Sequence, residues 1–399
     1  MTQKKRICFV IQRYGLEVNG GAEVYCRQLA EKMLPQYEVS VATTCAVDYA
    51  SWHNEYPAGT AVINGVTVHR FMVDFPRSQA DFDRVNARFL TGRLTTAKQQ
   101  EEWHREQGPY VPDLLDWLAA NRTAYDAFLL CTYLYYPTML GTGLVRDRAI
   151  LIPMAHDEPY LALEAVKALF HQPRGLFFLT EEEQGLVRHR FANAAIPAAV
   201  GGVGIDTPER IDPDRFRRKY GLAGDYLLYV GRIDEGKGCD TMFRYWERYK
   251  ALRPSPLKLV LMGKAVIPVP PRDDILPLGF VSEQDKFDGE AGARFLLLPS
   301  RFESLSLVVL ESMKLGVPVL VNGDCEVLRG HCQKSNAGLY YQNYAEFACC
   351  VDRLLRPGAE YRALCANGPA YVRQNYNWEE TTRRLSGLIE GLASAPAGQ

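Results

Sequence analysis

A chain of 399 residues, 47% hydrophobic and 23% charged, has the composition of a soluble globular protein and is too long for one ordinary core, so two domains are expected. A net charge of −1 excludes a global field directed at nucleic acid or an anionic membrane, and no apolar run approaches the roughly 20 residues that span a bilayer. The ten cysteines are scattered, several in apolar runs (Cys8, Cys131, Cys350) and none in CxxC, as expected of reduced thiols in a cytoplasmic protein.

In chain order, Met1–Arg6 leads into a strand-like run from Ile7 to Gln12 and does not have the form of a secretory signal. Strands are expected at 6–12, 38–44, 66–72, 127–132, 150–154 and 176–180, with helical patterns between them; this alternation predicts an α/β fold with parallel sheets. Asn64-Gly65 reads as a hairpin turn between the runs 60–63 and 66–69. Between 75 and 110 the chain turns polar, with helical spacing and no strong core stripe, as an acceptor-facing lid or a solvated excursion would. The alternation restarts with strands at 226–231, 257–263, 275–279, 293–299 and 317–322. The glycine- and proline-rich seam from Gly201 to Pro213 suits an interdomain hinge. A final amphipathic helix runs from Tyr376-Asn377-Trp378 to Leu392, followed by a small-residue tail expected to be disordered.

Two glycine clusters follow strands. Asn19-Gly20-Gly21-Ala22-Glu23 opens a helix, where backbone amides could meet a phosphate; a plain tight turn fits equally. Gly231-Arg232-Ile-Asp-Glu-Gly236-Lys237-Gly238 is one residue from a P-loop, with Gly238 where the metal-binding hydroxyl belongs. What remains is Arg232 and Lys237 on one loop, able to neutralise a diphosphate without a metal. Asp212-Pro213-Asp214 has the D-x-D spacing of metal-dependent nucleotide-sugar enzymes, but Asp214 there reads as a helix cap. Cys325 and Cys332 flank His331 closely enough for a metal site, but no second ligand pair matches them. His156 follows the 150–154 strand beside Asp157 and Glu158, either facing a cleft or as a hydrogen-bonded loop residue.

Glu303 and Glu311 bracket seven residues after the apolar run 295–300. At about 100° per helical residue, eight residues on one helix would turn the two carboxylates apart. Glu303 is therefore expected in the loop before the helix and Glu311 inside it, both suited to sugar diols. The spacing alone also fits two solvated glutamates.

In this order the motifs resemble retaining glycosyltransferase family 4, enzymes of the GT-B fold, over nearly the whole chain: Gly20-Gly21-Ala-Glu23, the Gly231–Gly238 loop, Gly279-Phe280-Val281 and Glu303-x7-Glu311. The resemblance implies two Rossmann-like domains facing a cleft, at 1–203 and 204–376, with 377–399 returning to the first. It also implies a nucleotide-sugar donor, a glycan or lipid-linked acceptor, and neither metal nor cofactor. Arg232 and Lys237 would hold the diphosphate, touched by the Gly21 amide beside Gly20. Glu311 would take the ribose, and the backbone at Phe280 and Val281 the base. Glu303 and the amides of Ser304, Leu305, Ser306 and Leu307 would orient the sugar, with His156 opposite. Where the family has a glycine-containing turn, this chain has Ser304 to Leu307: either the sugar pocket narrows or Ser306 adds a hydroxyl contact. A non-catalytic nucleotide- or glycan-binding protein and a sugar-nucleotide epimerase are the competing readings. A Rossmann oxidoreductase lacks its fingerprint. Synthesis of surface polysaccharide fits by analogy, and peripheral membrane contact is left open, with no strongly basic amphipathic helix to carry it.

Overall fold

The computed structural model describes residues 4–93 and 96–394; most of the tail expected to be disordered lies outside the described residues. The chain divides into two compact units, residues 1–203 with 378–399, and residues 204–377.

In the first unit β1 (Arg6–Val10), β2 (Glu38–Thr44), β3 (Gly59–Ile63), β4 (Val66–Phe71), β5 (Ala127–Cys131), β6 (Ala149–Ile152), β7 (Gly175–Phe178) and β8 (Ala198–Val200) form one sheet, ordered β3-β4-β2-β1-β5-β6-β7-β8. Only β3 and β4 pair antiparallel. Asn64 and Gly65 between them have φ of 48° and 86°, the positive values a two-residue hairpin turn requires. The inner strands β5 and β6 are buried along their whole length, because both faces of a parallel sheet are covered. β4, nearer the edge, alternates between buried and half-buried positions.

The polar 75–110 stretch is less solvated than its composition suggests. It forms helices Gln79–Leu90 and Ala97–Gln107, with Val85 and Trp103 fully buried and Phe82 and Phe89 packed on the same core. A few aromatic residues suffice here, since each buries about 150–250 Å². Strand β8 also goes unpredicted; its sequence, Ala-Ala-Val, is too short to show a period.

The helix Trp378–Ser394 belongs to this unit. Leu385 and Ile389 are buried, Thr381 Oγ1 donates to Gly201 O at 2.8 Å, and Ser386 Oγ meets Gln36 Oε1 at 2.7 Å. Glu183 ties two functional-side loops together. Its helix, Glu181–Phe191, is capped by Thr180, and its carboxylate accepts Leu179 N at 2.7 Å and Ala155 N at 2.6 Å.

In the second unit β9 (Tyr226–Val230), β10 (Lys258–Met262), β11 (Ile275–Gly279), β12 (Phe295–Leu298), β13 (Val319–Asn322) and β14 (Gly338–Tyr341) form a parallel sheet ordered β11-β10-β9-β12-β13-β14. The chain winds outward from β9 to β11, then returns to β12 on the other side. The strand order thus reverses between β9 and β12, the kind of place where such sheets take ligands.

Burial pushes the Glu183 carboxyl up to about 8, against the amides that favour its charge. Folding then takes up a proton between the ordinary value of 4.5 and about 8. This contribution is fully present below pH 4.5 and falls as pH rises toward 8. Glu183→Gln should flatten that part of the Tm-against-pH curve; an unchanged slope between about pH 5 and 8 would refute the assignment.

Candidate functional site

The loop after β9 is shaped by two glycines, Gly238 on it and Gly263 after β10, that no other residue could replace without movement. Gly238 has φ +74°, and a Cβ there would lie 2.6 Å from Pro299 O, at the end of β12. Gly263 has φ +135°, and its Cβ would lie 2.0 Å from Gly231 O. The loop is thereby pressed against the start of its neighbour. Asp234, which the motif reading passed over, holds its shape. One carboxylate oxygen accepts Lys237 N at 2.7 Å and the other accepts Arg232 Nε. Arg232 is exposed; Lys237 reaches across the strand reversal, its Nζ donating to Glu303 Oε1 at 2.7 Å.

Glu303 lies in the loop after β12, and Glu311 lies within the helix Leu307–Lys314. Each meets a different lysine. Lys286 Nζ, from the helix Glu283–Gly292, donates to Glu311 Oε1 at 2.8 Å. Glu290, one turn on from Lys286, is fully buried, and neither of its carboxylate oxygens has a hydrogen-bond partner among the described residues. Burial, then the Glu311 charge, push Glu290 well above the ordinary carboxylate range. For Lys286 burial lowers the ammonium's pKa, but Glu311 and Glu290 outweigh it and the net shift is upward. The Lys286–Glu311 ion pair thus lies beside a buried Glu290 whose carboxyl is pushed upward by that burial. Neither Lys286 nor Glu290 carries a motif that sequence reading could have found.

Between the two glutamates, Leu305 and Ser306 are buried, Ser304 and Leu307 partly so. Ser306 takes φ +69° and ψ +87°, a backbone that favours glycine, and its Oγ is buried without a partner. Phe280, after β11, is 71% exposed, with Val281 half-buried beside it.

In the first unit Gly20 caps the helix Gly21–Met33 at an ordinary φ of −84°. A Cβ on Gly20 would strike the Glu23 carboxylate, whereas Gly21 faces open space. Glu23 is buried and takes hydrogen bonds from Gln12 and Arg13, so this motif's acid is structural. His156 Nδ1 lies 3.3 Å from Glu158 Oε1, and that carboxylate accepts Tyr133 OH at 2.5 Å. Burial raises the Glu158 carboxyl although His156 and Tyr133 oppose it.

Asp212, not Asp214, caps the helix Pro213–Tyr220, accepting Asp214 N at 3.0 Å and Arg215 N at 3.2 Å. Pro213 at the first helical position was the overlooked signal. His331 is engaged on both ring nitrogens, by Leu305 O at 2.7 Å and Tyr371 OH at 3.1 Å. Among the described residues no group of three His, Cys, Asp or Glu side chains could hold a metal ion, and no helix is long and apolar enough to cross a membrane.

Residues 224–357 match a family model described as glycosyl transferases group 1. The chain is 23% identical to an uncharacterized glycosyltransferase of Methanocaldococcus jannaschii, over 95% of this chain and 96% of that one. It is similar to the solved sucrose-phosphate synthase from Thermosynechococcus elongatus, at 18% identity and TM-score 0.69, covering 98% and 99% of the two chains. Anabaena HepE, solved with UDP and glucose, gives 14% identity and TM-score 0.71, covering 97% of this chain and 100% of that one. At these identities the structural likeness establishes the fold.

Ser306→Gly should relieve the left-handed backbone and remove a buried, unpartnered hydroxyl. Even with the greater freedom of glycine in the unfolded chain, a net gain of about 1 kcal/mol is expected. Denaturant unfolding of the two proteins checks it; a loss of stability would show that Ser306 is not strained.

Proposed function

The chain carries a group 1 glycosyltransferase domain at residues 224–357 and has the GT-B fold, and we propose that it is a retaining glycosyltransferase moving a hexose from a nucleotide-diphosphate sugar to a glycan or lipid-linked acceptor in surface polysaccharide synthesis. The observation that carries this reading is the Lys237–Glu303 pair across the strand reversal, with Arg232 exposed on the same loop. Two cations on one loop beside two carboxylates match a ligand that is anionic at its diphosphate and rich in hydroxyls elsewhere.

In the proposed complex Arg232 and Lys237 take the diphosphate, and Lys237 exchanges part of its contact with Glu303 for phosphate oxygens. Glu303, so released, accepts hydrogen bonds from the sugar, and Glu311, held by Lys286, accepts them from the ribose. The backbone at Phe280 and Val281 meets the base, and the amides from Ser304 to Leu307 support the sugar. In the first unit Gly21 and His156 stand after β1 and β6, on the carboxyl side of that sheet, and are assigned to the donor phosphate and the transferred sugar.

The barrier is departure of the nucleoside diphosphate from an oxocarbenium-like carbon. Fixed cations at the leaving oxygen offset the developing charge with little reorganisation. A double displacement would need a carboxylate at the anomeric carbon, and Glu303 is occupied with ring hydroxyls. Front-face substitution therefore fits better: the acceptor oxygen attacks on the side the diphosphate leaves, and the leaving phosphate takes the acceptor's proton. Because the charge is met by Arg232 and Lys237, no metal is required.

Thermal-shift screening against UDP-, GDP- and ADP-sugars should find one class that raises Tm; stabilisation by none would remove the donor reading. Glu311→Ala is expected to weaken that donor by about 10- to 100-fold, the value of hydrogen bonds to a charged group. Lys237→Ala should reduce transfer by at least about 100-fold in a folded protein, and wild-type turnover would sink the diphosphate assignment. Transfer should persist in excess chelator; a strict divalent-ion requirement would return Asp212 and Asp214 to consideration.

A further inference from the structure

The loop between Glu303 and Glu311 is held from behind by a residue that the donor reading does not use. His331, on the helix Glu326–Ser335, is 1% exposed. Its Nε2 lies 2.7 Å from Leu305 O, and since a carbonyl only accepts, Nε2 carries the proton. Nδ1 faces Tyr371 OH at 3.1 Å and Tyr376 OH at 3.5 Å, and those two hydroxyls are 3.3 Å apart. The imidazole is thus fixed in rotation and in tautomer by groups on both sides.

The consequence falls on the next peptide. The Leu305–Ser306 bond is trans, because the only cis bond among the described residues is Gly108-Pro109. In a trans peptide the C=O and N–H point in opposite directions. With the Leu305 carbonyl drawn toward His331, the Ser306 N–H is turned away from it. That amide meets no protein acceptor among the described residues, nor do those of Leu307 and Val308 at the head of the helix Leu307–Lys314. A backbone at φ +69° on a serine persists only when its surroundings hold it there, and the Leu305–His331 bond is the restraint adjacent to it. Ser306 Oγ, nine-tenths buried at the same turn, is a further polar group there with no partner among the described residues.

Resting on the proposed donor site, we infer that His331 is a positioning residue for the donor: it holds the Leu305 carbonyl and thereby keeps the Ser306, Leu307 and Val308 amides turned toward the nucleotide sugar. It touches no substrate. Its role is to hold the strained turn in the free protein, so that the donor need not order the turn on binding.

The test compares His331→Phe, His331→Gln and His331→Asn with the wild type, using whichever of UDP-, GDP- or ADP-glucose stabilises the wild-type protein. His331→Phe keeps a ring between Tyr371 and Tyr376 but cannot donate to Leu305 O. The Gln side chain reaches with an amide N–H to the place of Nε2, whereas the shorter Asn does not. The expected result, by isothermal titration, is a donor Kd raised about tenfold or more in the Phe and Asn variants and restored to within about threefold in Gln. Donor KM should follow Kd, with acceptor KM unchanged, a split that general loss of structure would not produce. Donor affinity equal to wild type in the folded Phe variant, or equal affinities for Asn and Gln, would overturn the inference. Should the Phe variant not fold, the Asn and Gln pair decides by itself. Failure of the wild type to bind any of the three sugars would remove the donor reading instead, whereas binding that is indifferent to residue 331 removes only the role of His331.

Discussion

One ion pair spans the place where the second sheet reverses its strand order. Lys237 leaves β9 on a glycine-rich loop, Glu303 leaves β12 on a strained one, and their 2.7 Å contact ties the two together. Everything proposed for the donor depends on that arrangement. The parallel sheet brings the loops side by side, Gly238 lets them approach within van der Waals distance of Pro299, and Asp234 fixes the orientation of the cations.

The second pair, Lys286–Glu311, is sustained differently. A half-enclosed ammonium beside two carboxylates could be neutralised in two ways, and burial decides between them. Glu290, deeper and without a hydrogen-bond partner among the described residues, has its carboxyl pushed upward by burial, and the contact of Lys286 is with Glu311. The two lysines thus divide the work: one stands where a phosphate could replace its partner, the other fixes the position of Glu311.

The α/β class, the hairpin at Asn64-Gly65 and most strands were legible because apolar runs of parallel strands and turn residues are local signals. Glu303 before the helix and Glu311 within it were legible from their places after the apolar run 295–300. Lys286 and Glu290 were not legible, since they reach Glu311 from another helix and only packing joins them. Asp234 could have been found, because an acid three residues before a backbone N–H in a glycine-rich turn is a known way to close it. Asp214 was read as the helix cap, a place that Asp212 takes, although Pro213 announced the first helical position. The 75–110 stretch misled because its core contact rests on a few large rings rather than on a continuous stripe.

The first unit is assembled from two stretches of chain that are far apart in sequence, and the helix Trp378–Ser394 is the second of them. That helix packs Leu388 and Leu392 around Gly175 of β7, close enough that a Cβ on the glycine would lie 2.7 Å from Leu392. During synthesis the edge of the first sheet must therefore wait for residues 204–377 to be made. At about 5–20 residues per second that delay is on the order of 10 to 35 s. Throughout it, the apolar surface beside β7 and β8 has no permanent cover and is a candidate for chaperone binding. The second unit, contiguous in sequence, needs no such wait and can close first.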